Sequence, residues 1–394
     1  MTTDPAATKA LDVAIAGAGP TGLAFALSLA RALGPGLRLA VFDPALARPG
    51  AADARASMIA ADGRNLLKGL GAWPDGAAPV AGLRITDSRL DDALRPTYLE
   101  LDAPERTGEP FAHMVYDTEL RARLRERAEA AGVALVASAL TTHAAAPGGL
   151  RLTLDDGGVV RAGLLVAADG AASPVRTRER IKTHQFAYDQ TALVATLDHE
   201  ASNGGVAVQH FLPGGPFAML PLGAHKSSLV WSERREVAKE MAALDDDAFS
   251  AEVEKRAGPD FGRISLAGAR GAFPLRFLLA RSFVGARVAL VGDAAHVVHP
   301  LAGQGFNLAL RDVAALSEIV AGAARRGEDF GAEATLGAYE RARRFEAASL
   351  AAATDGLYRL FASEGTRSLR DVGMGLVDRA PGLKRRIIAA ASGL

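Results

Sequence analysis

Cysteine is absent from this 394-residue chain. Its absence excludes disulfides, zinc–thiolate sites, iron–sulfur clusters and cysteine nucleophiles, and it is compatible with a reducing compartment. An excess of charge of either sign is absent too, because 45 Lys and Arg residues balance 45 Asp and Glu residues. The composition therefore gives no indication of nucleic-acid binding, and we expect a cytoplasmic protein.

Uninterrupted hydrophobic runs suited to a membrane span are also lacking. Segment 13–30 contains no charged residue, but Gly17, Gly19, Pro20 and Gly22 interrupt it. A membrane-spanning helix needs about 20 consecutive, mostly apolar residues. We therefore interpret this segment as a buried strand followed by the first turns of a buried helix.

The chain has no Gly-x-Ser-x-Gly, P-loop or His-Glu-x-x-His motif, so the sequence does not support the enzyme classes that depend on them. Asp293, His296 and His299 have residue types that bind zinc or non-haem iron. However, Pro300 follows directly, and the next carboxylate is Asp312. We therefore predict no metal site and assign the two histidines to structural positions or to the edge of a cofactor.

The first part of the chain has a strand–helix–strand pattern. Leu11–Ala16 is typical of a strand buried on both faces. Thr21–Leu33 has the composition of a packed helix that Gly34 ends, and Leu37–Phe42 predicts a second strand before Asp43. The pattern predicts a unit of the size found in nucleotide-binding folds.

Gly17, Gly19 and Gly22 lie between the first strand and the helix with the spacing Gly-x-Gly-x-x-Gly. Glycines with this spacing permit a tight turn, close approach of the backbone to a pyrophosphate and close helix–strand packing. Asp43 follows Gly22 by 21 residues, where a carboxylate binds ribose hydroxyls. The pattern predicts dinucleotide binding; the alternative is a glycine-rich turn without a ligand.

A second motif of this kind lies near the other end of the chain. Residues 288–291 predict a buried strand, and Asp293 follows at its carboxyl end, where ligands bind in parallel-sheet folds. Gly303 and Gly305 then permit backbone N–H groups at a helix start to approach an anionic or carbonyl group. Two such motifs so far apart suggest one large dinucleotide held from both ends.

Two shorter signals are ambiguous by themselves. Asp169-Gly170 follows a buried strand, but an ordinary turn before a helix capped by Ser173 explains it as well. Arg55, in the loop after the first unit, has a planar fork that suits a diphosphate. A solvated arginine is the alternative there.

Between the motifs the pattern changes to short strand-like runs, which are typical of an antiparallel sheet. These runs are Thr191–Leu197, Val206–Leu212, Phe217–Leu222 and Ser228–Ser232. From Leu336 onward the pattern is helical. Residues 365–394 carry six Lys and Arg against two Asp, a net charge of +4. This segment predicts either a basic amphipathic contact with an anionic membrane or a solvated helix.

Together, the glycine fingerprint, the Asp-Gly element and the Gly-Asp element resemble those of the flavin-dependent aromatic hydroxylases of the para-hydroxybenzoate hydroxylase type. Further stretches resemble the ubiquinone-biosynthesis branch of this family: 188–190, 209–216, 220–222, 227–231 and 299–308. The resemblance spans nearly the whole chain. It implies an α/β fold (α+β overall), with a Rossmann-like FAD-binding domain, an antiparallel-sheet substrate domain and C-terminal helices.

On this basis we divide the chain into six segments. The FAD-binding domain takes 1–80, 111–180 and 276–330, the substrate side takes 81–110 and 181–275, and the C-terminal helical region with its candidate membrane-contacting tail takes 331–394.

The resemblance implies FAD as cofactor and NAD(P)H as reductant, and it assigns residues to each part of FAD. Gly17, Gly19, Gly22 and Asp43 would bind the ADP half, Arg55 the diphosphate, Asp293 the ribityl chain, and Gly305, Phe306 and Asn307 the flavin ring. Pro300, Gly303 and Gly305 would surround the reacting part of the ring, and Asp169 would lie between the FAD and NAD(P)H contacts. No general base is assigned.

The chain departs from the family pattern at a few positions. Asp43 stands where Glu is commoner, and Phe306 and Ala309 stand where Leu and Gly are usual. Asp117 stands where many relatives place Arg or Gln against the cofactor.

The reaction implied is hydroxylation of the ring of a polyprenyl phenol in ubiquinone biosynthesis. NAD(P)H or another donor would reduce FAD, and O2 would form a flavin C4a-hydroperoxide that attacks the ring, so the cofactor carries the difficult chemistry. The implied partners are a lipophilic phenol, O2, a multi-enzyme biosynthetic complex and the cytoplasmic membrane face. Two alternatives stay open: a hydroxylase of a soluble phenol, and a non-catalytic flavin-binding scaffold subunit.

Overall fold

A computed structural model describes residues 10–48, 53–87, 90, 97–102, 110 and 112–362. The basic segment 365–394 lies outside these residues. No helix within the described ranges is both long enough and apolar enough to span a membrane.

The described residues form both strands and helices. The strands are β1 (Ala10–Ala16), β2 (Leu39–Phe42), β3 (Ala56–Ile59), β4 (Ala78–Val80), β5 (Gly82–Asp87), β6 (Thr97–Asp102), β7 (Ala112–Tyr116), β8 (Ala134–Val136), β9 (Leu140–Ala146), β10 (Gly149–Leu154), β11 (Val159–Ala167), β12 (Thr183–His199), β13 (Val206–Leu212), β14 (Gly215–Gly223), β15 (Lys226–Arg234), β16 (Ile264–Ala280), β17 (Val284–Gly285), β18 (Val288–Leu290) and β19 (His296–Val297). The α-helices are α1 (Pro20–Leu33), α2 (Ala61–Gly69), α3 (Asp117–Ala130), α4 (Pro174–Arg178), α5 (Arg235–Ala243), α6 (Asp246–Ala257), α7 (Gln304–Arg325) and α8 (Glu333–Ala362). This composition confirms the predicted α/β class.

The first sheet brings the sequence motifs together at one edge. Its path is β17-β18-β11-β1-β2-β8, with β10 and β9 added beside β11. In the parallel centre, Ala16 lies beside Ala167 and Phe42, and Ala167 lies beside Leu290. The carboxyl ends of β1, β2, β11 and β18 therefore meet, and the loops after these strands are neighbours.

The central strands of this sheet are apolar because they are buried on both faces. Val13, Ile15 and Val41 have no exposed surface, as expected for parallel strands that are covered on either side. They belong to a hydrophobic core that also includes buried residues of α1, α3 and α7. This packing fixes the strand ends from which the motif loops leave.

The second sheet is mostly antiparallel, with the order β19-β16-β12-β15-β14-β13-β5-β6. Leu193 and Trp231 on one face pack in a buried cluster with Phe249 of α6. Alternate strand residues point to opposite faces, so Ala218 and Val230, which pair with each other, face the other way. One face of the sheet is thus covered by helices, and the other is left for a ligand.

Two features of this sheet were not predicted from the strand-like runs. β5 pairs parallel to β13, which is sterically allowed because the first sheet supplies the long connection between them. Helices α5 and α6 lie between β15 and β16, within the segment 181–275 that was predicted as sheet. The boundaries of the six segments stay predictions.

The C-terminal helices close over the first sheet. α7 begins directly after Gly303 and packs against α1, and α8 packs against α7. The buried Tyr339 of α8 donates its hydroxyl hydrogen to the Leu290 carbonyl oxygen at 2.8 Å. This bond ties the last helix to the strand that precedes Asp293.

Candidate cofactor and substrate site

The three glycines of the fingerprint differ in what surrounds them. A Cβ at Gly17 would collide with the Ala168 carbonyl oxygen, and one at Gly22 would collide with the Gly17 carbonyl oxygen. Gly17 also has a φ of +105°, which favours glycine. A Cβ at Gly19 would meet open space. Packing therefore dictates the first and third glycines, whereas the second leaves room for a ligand to approach.

Asp43 holds this loop from the end of β2. Its Oδ2 accepts the Ala18 N–H at 2.8 Å, and its Oδ1 accepts the Ala45 N–H at 2.8 Å. A carboxylate has about four lone-pair sites, so acceptor capacity remains for ribose hydroxyls. The structure therefore gives Asp43 a local role that is compatible with its predicted ligand role.

A cavity of about 540 Å³ connects the fingerprint loop with the distal motif. At one end it is bordered by Gly19, Pro20 and Thr21, and at the other by Asp293, Pro300, Gly303, Gly305 and Phe306. Residues nearly 290 positions apart in sequence thus line the same cavity. The cavity has the arrangement expected for one ligand held from both ends.

Asp293 projects into this cavity from the loop after β18. Its side chain is exposed to the cavity, yet the protein atoms around it raise its pKa, which nearby His296 and Arg55 partly oppose. Hydroxyl groups of a ligand would satisfy the carboxylate in this partly desolvated place. The Asp293 carboxylate therefore faces the cavity, where it can accept hydrogen bonds from ligand hydroxyls.

A buried ion network lies behind Asp293. Asp312 is fully buried, and its Oδ2 lies 2.6 Å from His296 Nε2 and accepts the Gly292 N–H at 3.1 Å. Its Oδ1 accepts from Arg343 Nε at 2.9 Å. Burial raises the pKa of Asp312, but the contacts with His296 and Arg343 outweigh it and lower that pKa below its usual value.

Sequence reasoning missed the role of this network. In the sequence Asp312 is only the next carboxylate after Asp293, although it lies one helical turn from the apolar Leu308 and from the apolar Leu316. Such a residue on the buried face of a helix needs a charged partner. That pattern indicates a buried pair, but it cannot identify Arg343, which lies on another helix.

The Asp-Gly element is locked to the distal motif by Arg176. Asp169 Oδ2 accepts the Val175 N–H at 3.1 Å, and burial raises the pKa of Asp169. The buried Arg176 donates to the carbonyl oxygens of Ala294 and Ala171, each at 2.8 Å. The loops after β11 and β18 are thus held together, and Arg176 received no role from the sequence alone.

Arg55 lines the cavity with its guanidinium paired to Asp53. The Arg55 Nε and Nη2 atoms lie 2.9 and 2.6 Å from the two Asp53 oxygens. The guanidinium also lies 5.3 Å from the centre of the Phe273 ring, within range of a cation–π contact. The hydrogen bonds to Asp53 raise the pKa of Arg55, so the side chain presents a fixed positive charge beside the cavity.

Asp117 and Arg121 lie one helical turn apart on α3, and both line the same cavity. Asp117 Oδ1 accepts from the Ser57 hydroxyl at 2.7 Å, and burial raises the pKa of Asp117. The Arg121 Nε is buried without a hydrogen-bond partner among the described residues. Arg121 was not predicted from the sequence. Asp117 departs from the family pattern, and Arg121 follows it at the i,i+4 spacing that places two side chains on the same helix face. That spacing could have indicated Arg121 as a cofactor contact.

The residues of the Gly303–Asn307 segment have different surroundings. Gly303 has a φ of +62° and faces Met58 closely, whereas Gly305 has little beside its Cα. Asn307 donates to the Met58 carbonyl oxygen at 2.8 Å and accepts the Ala60 N–H at 2.9 Å. Its amide therefore holds β3, and its predicted contact with the flavin ring stays a prediction.

The open face of the second sheet forms the apolar wall of the cavity. Its lining residues include Ala192, Val194, Ala218, Leu220 and Val230. A smaller cavity of about 270 Å³ lies next to it, and the two share Pro216 and Leu301 as lining residues. The walls suit a ligand with an aromatic or aliphatic body.

His299 is buried against aromatic rings beside this wall. Its Nε2 lies 3.2 Å from Gln190 Oε1, and its ring stacks on Tyr358 with centres 4.9 Å apart. Burial lowers the pKa of His299 to about 4, so the ring is neutral near neutral pH. His296 and His299 thus have different partners, Asp312 and Gln190.

These observations fit FAD. The open space at Gly19 and Gly305 permits close approach of a ligand, Arg55 and Arg121 supply positive charge for a diphosphate, and Asp293 offers acceptors to hydroxyls. The α1 N-terminus beside Gly19 adds a favourable dipole.

Comparisons with known proteins agree with this fit. The FAD binding domain family matches residues 10–354. The ubiquinone hydroxylase UbiL of Rhodospirillum rubrum is 38% identical over 397 residues, covering 98% of this chain and 90% of that protein. The 3-demethoxyubiquinol 3-hydroxylase of Escherichia coli is 33% identical over 394 residues, covering 97% and 98%.

A solved structure supports the fold. The p-nitrophenol 4-monooxygenase PnpA from Pseudomonas putida has a TM-score of 0.78 at 18% identity, with 97% of each chain covered. The family match covers most of the chain, and both curated relatives exceed 30% identity over nearly its full length. The chain therefore belongs to the FAD binding domain family, and it is similar over nearly its full length to proteins named as ubiquinone and demethoxyubiquinol hydroxylases.

Proposed function

We propose that this chain is an FAD-dependent monooxygenase that hydroxylates the ring of a polyprenyl phenol in ubiquinone biosynthesis. The observation that carries the proposal is the single cavity that joins Gly19, Asp293 and Gly305 to the apolar face of the second sheet. Relatives named for the hydroxylation of ubiquinone or a ubiquinol precursor support the same reaction.

The fingerprint end of the cavity would hold the ADP half of FAD. Asp43 would bind the ribose, and the α1 N-terminus beside Gly19 would receive the diphosphate. Arg55 and Arg121 would add two positive charges along the same wall. Gly17 and Gly22 would act indirectly, because packing already uses both positions.

The distal end would hold the ribityl chain and the flavin ring. Asp293 would accept hydrogen bonds from ribityl hydroxyls, and backbone N–H groups of 303–306 would approach the ring and stabilise negative charge on it. Pro300 would lie beside the reacting part of the ring, and Asp169 would contribute from the neighbouring loop. Bound FAD would supply two-electron redox chemistry and activate O2 so that one oxygen atom enters the phenol.

The second sheet would hold the substrate. Ala192, Val194 and Val230 would enclose the aromatic ring and keep water away, which limits wasteful side reactions. Gln209 and Ser232 also line this cavity and would orient the phenolic hydroxyl, because a few polar groups on an apolar wall fix a ligand's orientation.

We further propose NAD(P)H as reductant, a peripheral position on the cytoplasmic membrane face, and assembly with other enzymes of the pathway. The net charge of +4 in residues 365–394 supports contact with anionic lipid. A lipophilic substrate supports the same location, since it resides in the membrane.

Complementation tests the proposed reaction. The chain would be expressed in strains that each lack one ring hydroxylase of ubiquinone biosynthesis, with Asp293→Ala as the inactive control. We expect ubiquinone to return in one strain and its precursor, a prenylated phenol that lacks one oxygen, to disappear. Persistence of the precursor in every strain, despite soluble flavin-loaded protein, would contradict the proposal.

A further inference from the structure

We propose that the aromatic pair Phe186–Phe277, together with Arg359 and Arg281, forms a patch that docks on an anionic lipid surface. We call these four residues the aromatic patch. This inference rests on the proposed function, because a lipid-borne phenol requires the enzyme to work at a membrane.

The aromatic pair is an ordered surface feature. Phe186 of β12 lies opposite Phe277 of β16 in the antiparallel register. Their rings are stacked, with centres 4.9 Å apart and planes 6° from parallel. Phe186 is nevertheless 39% exposed. A rigid, partly exposed aromatic pair is the kind of group that inserts into the interfacial region of a bilayer.

The aromatic pair lies close to the main cavity. Phe273, Leu275 and Phe277 are alternate residues of β16, and the pairing of β16 with β12 shifts register between Phe277 and Phe273. Phe273 and Leu275 line the cavity. Phe277 therefore lies two residues along β16 from the cavity lining, which places the proposed lipid contact close to the proposed substrate site.

The charges around the pair suit anionic lipid. The Arg359 guanidinium lies 5.8 Å from the centre of the Phe186 ring. Arg281 lies 3.2 Å from the ring of His184, which shares a strand face with Phe186. Asp355 pairs with Arg359 at 2.8 Å and offsets part of its charge. The basic segment 365–394 begins three residues after the end of α8 in the sequence. Each cation near the bilayer adds roughly 1 kcal/mol of attraction, about a fivefold gain in affinity.

A lipid surface fits this patch better than a second copy of the chain. A stable protein interface buries about 1,200–2,000 Å² in total, whereas the aromatic patch is one aromatic pair with two arginines. Aromatic residues and Arg are enriched at protein interfaces too, so the choice of occupant rests on other features. The net charge of +4 in residues 365–394 and the lipid-borne substrate of the proposed reaction favour an anionic lipid surface.

Vesicle cosedimentation of the FAD-loaded full chain tests the proposal. The vesicles are phosphatidylcholine alone, and phosphatidylcholine with phosphatidylglycerol in equal parts. We expect wild-type protein to bind only the anionic vesicles well, and Phe186→Glu to bind them at least about tenfold more weakly. Arg359→Gln keeps the aromatic pair and should lose binding to the anionic vesicles by about fivefold.

Phe345→Glu is the matched control. Phe345 is 82% exposed on α8 and has cationic neighbours in sequence, Arg341 and Arg344, but it does not line the cavity. We expect its variant to bind vesicles like wild type. If Phe345→Glu weakens binding as much as Phe186→Glu, general surface hydrophobicity explains the binding, and the proposal that the aromatic patch docks on lipid is overturned. Wild-type dimers in light scattering that Phe186→Glu abolishes would also overturn it, in favour of a second copy.

A separate assay distinguishes failure of docking from failure of the proposed function. A short-chain prenyl phenol in solution bypasses the membrane. We expect Phe186→Glu to hydroxylate it like wild type but to lose activity on long-chain phenol in anionic vesicles. Equal activity of Phe186→Glu and wild type on the vesicle-bound phenol would overturn the proposed role of the aromatic patch. Wild-type protein that binds anionic vesicles through Phe186 but hydroxylates neither phenol would contradict the proposed reaction and leave the lipid contact supported.

Discussion

At the scale of single residues, one motif contains positions with different physical roles. Gly22 is required because a side chain would strike the backbone of Gly17, whereas Gly19 faces open space beside the cavity. Asp293 likewise lines the cavity with an exposed side chain, while Asp312 behind it is paired on both oxygens. Stability and cofactor affinity should therefore respond separately to changes at neighbouring positions.

Gly19→Ala should weaken FAD binding with only a small loss of stability. Gly19 is the N-cap of α1 and has a φ of −70°, which alanine adopts easily, so we expect the free energy of unfolding of the apoprotein to fall by no more than about 1 kcal/mol, the cost of alanine at an N-cap. The FAD dissociation constant should rise at least about tenfold, because the added methyl occupies the space for the diphosphate. Gly22→Ala should instead destabilise the apoprotein by about 1–3 kcal/mol or more. Chemical denaturation and flavin fluorescence titration would show the two effects, and equal losses of stability in both variants would contradict this distinction.

Asp293→Ala should release FAD. Loss of hydrogen bonds to a charged acceptor costs about 1.5–3 kcal/mol, roughly tenfold to a hundredfold in affinity. The ratio of flavin to protein absorbance after purification measures retention, and fluorescence titration gives the dissociation constant. Full flavin occupancy in the purified variant would show that the distal motif is wrongly assigned.

Arg121→Leu should raise the FAD dissociation constant by roughly tenfold, because it removes one charged donor from the cavity. Arg125→Leu is the control on the next turn of α3; Arg125 is paired with Glu129 and does not line the cavity. The double variant Asp117→Arg with Arg121→Leu should recover part of the affinity, since it returns a cation to the same wall. Equal affinity of Arg121→Leu and Arg125→Leu for FAD would remove Arg121 from the site.

At the scale of elements, the site is made by strand ends and by the contacts that hold α8 in place. The parallel register sets the loops after β1, β2, β11 and β18 side by side. The end of α8 joins the second sheet through Tyr358, which stacks on His299, and Asp355, which accepts the Tyr188 hydroxyl hydrogen at 3.1 Å. We expect this junction between α8 and the second sheet to be stable only while the buried His299 is neutral.

The His299 junction should make the protein sensitive to acid. A buried histidine with a lowered pKa stabilises the fold fully above its unfolded value of 6.5, and that contribution is lost as the pH falls towards about 4. The loss can reach about 3 kcal/mol. His299→Gln keeps a donor for Gln190 but cannot be protonated, so its unfolding free energy should fall less over this range. Parallel pH profiles for wild type and variant, from denaturant titrations, would contradict this role.

The elements also show what sequence alone can predict. The first strand, helix and strand were predicted to within a few residues because alternation, helix ends and glycine spacing are local signals. The β5–β13 pairing, the Arg176 clamp and the Asp312–Arg343 pair join residues far apart in sequence. No local pattern determines which distant partner a strand or a buried charge selects.

At the scale of the whole molecule, two layers meet around one cavity. The first sheet presents charged and glycine-rich loops, and the second presents an apolar face, so a polar cofactor and an apolar substrate can lie next to each other. The sequence predicted this division through its change from strand–helix alternation to short strands. The two glycine-rich motifs also predicted one ligand held from both ends, but they could not predict the shape of the cavity between segments 19–21 and 293–306 or its other lining residues.

Removal of residues 380–394 should shift the protein from the membrane fraction to the soluble fraction. The deletion takes away three of the six basic residues of segment 365–394 together with its last apolar residues, and each cation near anionic lipid contributes roughly 1 kcal/mol. Fractionation of cell lysates at low and high salt measures the distribution. An unchanged distribution would leave the segment as a solvated helix.

The most direct test of the account is product analysis with labelled dioxygen. Purified FAD-loaded protein, NADH or NADPH, oxygen-18 gas and a prenyl phenol would be combined, with Asp293→Ala as control. The account predicts a ring-hydroxylated product that carries one labelled oxygen atom, formed by wild type alone. Reduction of the flavin without any labelled phenol, across prenyl phenols of several chain lengths, would contradict it.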